Sequence, residues 1–293
     1  MPEGPPTDEQ TLRTADFPGV VEAARRYLGD RIVRAGVFAV NGPVEGDQIQ
    51  LSNSPWRFSI RAVKAALGLE RLVVVNDFVA QALAVPKLAE HERHKLGGGE
   101  PVPERPIGVI GPGTGLGIAA LLPVPGGWWP MASEGGHISF APHDEVEAAV
   151  LARLRQRFGH ISNERILAGP GLVNVASALA ELADQRLSPL EPKDVVERAR
   201  AGTCRFCRQA VERYPGMLGA AAGDLALTVL ARGGVFIAGG VVLRLGELFD
   251  VERFRRAFIA KGRFGPLLES IPTYIVTRSD TGLLGAAALR LDL

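Results

Sequence analysis

Seven residues, Gly111-Pro112-Gly113-Thr114-Gly115-Leu116-Gly117, constrain what this chain can fold into more than any other stretch. Apolar runs flank them: Ile107-Gly108-Val109-Ile110 leads in, and residues 116–122 lead out. Four glycines in seven residues, between two strand-like runs, spell a tight hairpin whose backbone passes close to something else. Backbone N–H groups with no side chain over them form an anion nest, and phosphate suits such a nest. Thr114 adds a hydroxyl at the tip. Two other phosphate loops do not fit. A Walker loop ends in Gly-Lys-Ser/Thr, and no lysine stands here. The dinucleotide pattern Gly-x-Gly-x-x-Gly, counted from Gly111, meets Leu116 where it needs glycine; a strand also follows where that motif opens a helix. An ordinary glycine-rich hairpin is the plain alternative.

Around this turn the chain alternates strand and helix. Residues 1–10, rich in proline, glycine and acid, read as disordered. Residues 12–15 read as a short strand, 18–28 as a helix and 33–40 as a buried strand. Residues 48–51 are expected to pair with that strand or its neighbour. Ser59 caps a helix that stops at Gly68. Leu72-Val73-Val74-Val75 is a continuous apolar run, expected to be a central strand covered on both faces. It ends in Asn76-Asp77, and a helix runs on to residue 85. Residues 87–105 read as loop. Beyond the hairpin come strands at 128–132 and 137–140, separated by Glu134-Gly135-Gly136. Helices dominate 145–231; a buried strand at 233–240, a strand at 273–277 and a helix at 281–289 follow.

The second part thus runs strand, glycine turn, strand, strand, helices, strand, helix, strand, helix. The first part runs strand, helix, strand, helix, strand, helix. As a copy of the second it lacks the opening two strands and the turn between them. A duplicated α/β unit of this order is the actin-like (ribonuclease H-like) ATPase arrangement, with nucleotide held in the cleft between two domains. The expected division is a small α/β domain of residues 1–87 plus 278–293, its first two strands missing, and a large α/β domain of residues 88–277 with a helical insertion.

Composition narrows the function. With 293 residues, 46% hydrophobic and 22% charged, the chain has room for two soluble domains. A net charge of +1 gives no field to recruit nucleic acid or membrane. No apolar run reaches the roughly eighteen residues of a membrane span, and Met1-Pro2-Glu3-Gly4-Pro5-Pro6 lacks a signal pattern. Two cysteines, Cys204 and Cys207, exclude a disulfide framework and fit a reducing cytoplasm. Their Cys-x-x-Cys spacing reads as two thiols on a helix rather than a redox pair or half a zinc site.

Asp77 lies just past the carboxyl end of an apolar strand, where open α/β sheets place ligands. A carboxylate there suits a base that accepts a hydroxyl proton; the alternative is that Asn76 or Asp77 only caps the next helix. Glu134 and His137, split by two glycines, belong to a loop rather than a metal-binding helix; they suit hydrogen bonding to a polyhydroxylated ligand, or His137 is structural. Glu164 sits in a helix's first turn, where an acid is favoured in any case. Gly239-Gly240 allow a flat ligand to approach, or form a helix-entry turn. His91, His94, His143 and His160 show no partner pattern and read as surface or capping residues.

Taken in order, Asn76-Asp77-Phe78, the 111–117 turn, Glu134-Gly135-Gly136-His137, Ser162-Asn163-Glu164-Arg165 with Gly169-Pro170-Gly171, residues 233–240, and Gly282-Leu283-Leu284-Gly285 resemble the bacterial glucokinases of the proteobacterial rather than the ROK type. Lys261-Gly262-Arg263-Phe264 and Cys204-x-x-Cys207 extend the likeness, which runs from residue 12 to the end. The resemblance implies ATP-dependent phosphorylation of D-glucose at O6, the first step of glycolysis, with Mg²⁺ accompanying ATP and both substrates in the interdomain cleft. Asp77 would be the general base, and Asn76, Glu134, His137 and Glu164 would bind the sugar. Gly111, Gly113, Thr114 and Gly115 would hold the phosphates, and Gly239 and Gly240 would line the adenosine pocket; no residue is assigned to a metal. A cytoplasmic homodimer is implied, without nucleic acid or membrane partners. Alternatives are a kinase for another hexose, or an impaired or inactive sugar-binding paralogue.

One departure stands out. Glucokinases open on a strand, an Asp-x-Gly-Gly-Thr-Asn turn and a second strand, which form the other half of the phosphate site, and this sequence starts after them. The expectation is that Met1 is not the natural start, or that the chain is a decayed paralogue.

Overall fold

The computed structural model describes residues 7–52 and 54–289. The disorder expected of residues 1–10 lies, for residues 1–6, outside these; residues 7–10 are exposed and carry no regular element. The chain divides into two compact units, Met1–Leu88 with Arg278–Leu293, and Ala89–Thr277.

The first unit opens with a short 3-10 turn, Thr14–Asp16, where a strand is expected at residues 12–15. A strand exists only through its ladder, and no partner meets this segment among the described residues. Helix α1 (Val20–Leu28) leads to β1 (Ala35–Val40). Next come β2 (Gln48–Gln50) and β3 (Arg57–Ser59), which pair with each other and not with β1, contrary to expectation. That pairing sets Ile49 opposite Phe58 and adds both to the apolar cluster of Phe38, Val40 and Val74. Ser59 caps α2 (Ile60–Ala66) by accepting from the Ala62 amide at 3.1 Å, and Gly68 turns the chain out at φ +66°.

β4 (Arg71–Asn76) runs parallel to β1 in a two-stranded sheet. Its apolar run predicts a central strand covered on both faces. Instead Val74 alone of the strand is buried and the rest is half-buried, because β1 is its sole sheet partner among the described residues. Helix α3 (Asp77–Ala84) follows at once and packs on the C-terminal helix Thr281–Ala288. The two helices meet closely at Gly285, where a side chain would run into the Ala80 carbonyl.

The second unit begins with β5 (Arg93–Gly97), inside the stretch 87–105 that reads as loop in the sequence. Its residues Arg93, His94 and Lys95 hide the strand pattern, since this is an edge strand with polar side chains facing water. β6 (Ile107–Pro112), β7 (Leu116–Val124) and β8 (Gly127–Ser133) form an antiparallel meander. Every residue of β6 is buried, which suits its unbroken apolar run. The strand expected at 137–140 is a 3-10 turn, Gly135–His137, followed by a single bridge from Ser139 to Ser162. Gly136 explains it: its backbone lies so close to the Leu116 carbonyl that the chain turns across the end of β7 rather than extending beside it.

Five helices follow: α4 (Glu145–Phe158), α5 (Asn163–Leu167), α6 (Gly169–Leu182), α7 (Pro192–Arg200) and α8 (Arg205–Val229). β9 (Gly234–Ile237), α9 (Gly240–Leu245), α10 (Val251–Ile259), α11 (Gly265–Ser270) and β10 (Thr273–Val276) complete the unit. The sheet order is β5-β10-β9-β6-β7-β8, with β6, β9 and β10 parallel. Numbered from β6, it is the ribonuclease H-like order 3-2-1-4-5 with β5 added at the far edge. The core lies between this sheet and α8, where Tyr214, Leu218, Phe254 and Phe258 are fully buried. Burying each such side chain stabilises by roughly 1.5–3 kcal/mol, which anchors the elements that carry the site.

Candidate active site

In the second unit, β6 and β7 pair up to Pro112 and Leu116, leaving Gly113, Thr114 and Gly115 as the tip. Pro112 has no N–H to give its partner, so the end of the hairpin is held from outside. The Gly113 amide donates to the Gly115 carbonyl at 2.8 Å. The Gly113 carbonyl accepts from the Gly169 amide at 2.8 Å, and Glu164 Oε2 accepts from the Leu116 amide at 3.0 Å. The amides of Thr114 and Gly115 donate to nothing among the described residues, and Thr114 is exposed. Two free amides and a hydroxyl at the tip have the chemistry that suits an anion. Gly239 reaches the flank of this turn. It adopts φ +155°, and a side chain there would stand 2.8 Å from the Pro112 carbonyl carbon. Gly240 opens α9 and faces open space.

Glu134, His137 and Glu164 converge beside the turn. The Gly135 amide donates to Ser133 Oγ, and the His137 amide to the Glu134 carbonyl, each at 2.9 Å. His137 Nε2 stands 3.8 Å from Glu134 Oε2, and its Nδ1 stands 3.9 Å from Glu164 Oε1. One imidazole between two carboxylates, all three accessible to water, offers both donors and acceptors to a ligand with several hydroxyls. Ser162 sets the start of α5 by accepting from the Arg165 amide at 3.3 Å, which fixes Glu164 in the first turn.

Two residues without a sequence signal support this group. His160, read from the sequence as surface or capping, meets the His137 carbonyl through Nε2 at 2.9 Å. Tyr214, fully buried in α8, donates its hydroxyl to the Leu167 carbonyl at 2.8 Å and so anchors the far end of α5. The phenol is pushed well above its ordinary pKa by burial, which keeps it a neutral donor. Cys204 is the N-cap of α8, accepting from the Cys207 amide at 3.3 Å, and Cys207 is buried.

In the first unit, the question of which residue caps α3 has a clear answer. Asn76 Oδ1 accepts from the amides of Phe78 at 2.8 Å and Val79 at 3.3 Å, while its Nδ2 donates to the Gly42 carbonyl at 3.1 Å. One N–H of that amide stays available. Asp77 is therefore not the cap. Its carboxylate has one long contact, from Asn41 Nδ2 at 3.4 Å, and stands at the carboxyl end of β4. Asn41, just past β1, gave no sign of this in the sequence.

No group of three or more His, Cys, Asp or Glu residues suited to a metal ion occurs among the described residues, and no helix there is long and apolar enough to cross a membrane. The 3-2-1-4-5 sheet, with a glycine hairpin between its first two strands, places the protein in the actin-like ATPase fold class. Comparison with known proteins then narrows this. A glucokinase family profile matches residues 2–292. The chain is 44% identical to the glucokinase of Aromatoleum aromaticum over 98% of its own length and 88% of that protein's. It is likewise 44% identical to the glucokinase of Paramagnetospirillum magneticum, over 99% and 92%. A crystal structure of a glucokinase from an Antarctic psychrotroph superposes with a TM-score of 0.86 at 34% identity, covering 95% of this chain and 88% of that one. The chain belongs to the glucokinase family.

Proposed function

We propose that this protein transfers the γ-phosphoryl group of ATP to the O6 hydroxyl of D-glucose, giving glucose 6-phosphate and ADP. Asp77 is the general base. The observation that carries this assignment is that Asn76 takes over the helix cap, leaving the Asp77 carboxylate at the strand end with one long contact, from Asn41. As the bond from O6 to the γ-phosphorus forms, Asp77 takes the O6 proton; the bond from that phosphorus to the bridging oxygen breaks, and ADP leaves.

Asn76, Glu134, His137 and Glu164 bind the sugar hydroxyls. A set of polar groups that pairs each hydroxyl discriminates strongly, because an analogue lacking one hydroxyl leaves a protein group unpaired. The tip of the hairpin, Gly111 to Gly115 with the Thr114 hydroxyl, holds the phosphates, and Gly239 and Gly240 line the adenosine pocket. ATP arrives as its Mg²⁺ complex. Such an ion would keep much of its water, bind mainly through the substrate phosphates and offset their charge. We read the enzyme as a cytoplasmic homodimer acting without nucleic acid or membrane; light scattering reads the dimer.

Asp77→Asn tests the central role. It removes the base and keeps the shape of the side chain. The expected result is a fall in kcat of about 10²–10⁴-fold, with glucose affinity by calorimetry changed by no more than about threefold. A variant with near-normal kcat would exclude Asp77 as the base.

A further inference from the structure

Glu164 does more in this structure than face a ligand. Its Oε2 accepts from the Leu116 amide at 3.0 Å, just beyond the tip of the glycine hairpin. Its Oε1 points the other way, 3.9 Å from His137 Nδ1. The carboxylate also explains Gly115. That glycine is not among the residues with positive φ, so its backbone does not demand glycine. A Cβ there would instead stand 2.7 Å from Glu164 Oε2. The carboxylate thus occupies the space a side chain at 115 would fill.

The hairpin needs this support. Pro112 cannot donate to its partner Leu116, so the last rung of the ladder is weakened at the phosphate end. Glu164 on the Leu116 amide and Gly169 on the Gly113 carbonyl hold the tip instead. Both come from the α5–α6 corner. That corner is itself fixed by the Ser162 cap, by the Asn163 amide on the Ile138 carbonyl at 2.9 Å, and by Tyr214 on Leu167.

We infer that Glu164 is a positioning residue for the phosphate turn as well as a sugar ligand, so that one carboxylate ties sugar recognition to the shape of the nucleotide site. The inference rests on the reading of residues 111–115 as the phosphate turn and of Glu164 as a sugar ligand. Through Oε2 the carboxylate sets the spacing of the Thr114 and Gly115 amides. Through Oε1 it receives the sugar.

The test measures two quantities separately: ADP affinity by calorimetry without sugar, and the KM for glucose. In Glu164→Ala, ADP binding is expected to weaken about tenfold, the scale of one lost charge-assisted hydrogen bond, and the glucose KM to rise. In Glu164→Gln the side-chain oxygen can still accept from Leu116. ADP affinity should then recover to within about twofold of the parent while the glucose KM stays raised. Glu134→Gln, in the same sugar-binding group but without a bond to the turn, should raise the glucose KM and leave ADP affinity unchanged. Parent-like ADP affinity in Glu164→Ala would overturn the strut role while leaving the sugar reading intact. A parent-like glucose KM with weakened ADP binding would instead remove Glu164 from the sugar site. Because the glutamine variant keeps size and shape, the comparison survives even where the alanine variant does not fold, and equal ADP losses in Glu164→Gln and Glu134→Gln would also overturn the proposal.

Discussion

Replacing Gly136 with alanine sets a methyl group against the end of β7. The new Cβ would stand 3.0 Å from the Leu116 carbonyl carbon and 3.3 Å from Leu116 Cβ, with the carbonyl oxygen nearer still. Carbon atoms in comfortable contact lie about 3.5–4.0 Å apart. The obstacle is backbone, and β7 is locked between β6 and β8, so it does not yield. The turn carrying Glu134 and His137 moves instead, by on the order of 1 Å. A misplacement of that size in a positioning group costs about 10²-fold in rate. Overpacking of this kind also costs roughly 1–3 kcal/mol of stability. The assay is glucose-dependent turnover followed by a coupled dehydrogenase, with thermal melting alongside. The expected result is a loss of about 10²-fold in kcat/KM for glucose in a protein that still folds. A Gly136→Ala protein that melts like its parent and keeps kcat/KM within about threefold would refute the reasoning, because the turn would then not need its observed position.

Two glycines of the C-terminal helix should respond in opposite directions to alanine in denaturant titrations. At Gly285 a Cβ would stand 2.6 Å from the Ala80 carbonyl carbon and 3.0 Å from the Ala84 amide nitrogen, so Gly285→Ala is expected to destabilise by about 3 kcal/mol or more. At Gly282 nothing lies within 4 Å, so Gly282→Ala is expected to stabilise by roughly 0.4–1 kcal/mol. Tyr214→Phe leaves the Leu167 carbonyl without its buried donor and should cost about 1–3 kcal/mol, with a raised glucose KM because Glu164 rides on α5. Asp144, the cap of α4, shows how acid acts on the fold. Burial raises its pKa, but the Glu147 amide and the Arg213 guanidinium together lower it by more, so the folded value lies below the ordinary one. A depressed folded pKa gives stability that is complete above the unfolded value of roughly 4 and is lost as pH falls through the folded value. Asp144→Asn should therefore show a shallower fall in melting temperature below about pH 4 than its parent.

Much of the fold was legible where local rules decide it. The unbroken apolar run of β6, the glycine turn and the Ser59 cap each announce their elements. What the sequence hid depends on partners. The 12–15 segment looks strand-like but meets no ladder among the described residues, and β5 looks like loop but borrows its strand character from β10. Leu72 to Val75 carry the apolar signature of a central strand in a sheet where, among the described residues, one neighbour pairs with them. The same divide runs through the site. Glu134 and His137 stand out as polar residues around a glycine pair, and Asp77 as a carboxylate at the end of an apolar run, whereas Glu164 draws notice only through the family resemblance. The Asn76 cap that frees Asp77 depends on bonds to Phe78, Val79 and Gly42, and only coordinates decide it. Asn41, His160 and Tyr214 act through single side-chain contacts made 36, 23 and 47 residues away, a range over which no spacing rule operates.

The account stands or falls on the formation of glucose 6-phosphate by this chain. The most direct measurement mixes the purified protein with ATP, Mg²⁺ and glucose and reads the product with glucose-6-phosphate dehydrogenase, which responds only to the 6-phosphate. ADP is counted in parallel. The account predicts one ADP per glucose 6-phosphate, with both signals absent when glucose is left out and both reduced about 10²–10⁴-fold by Asp77→Asn. Glucose binding with no sugar phosphate, or ADP release without a 6-phosphate product, would contradict it.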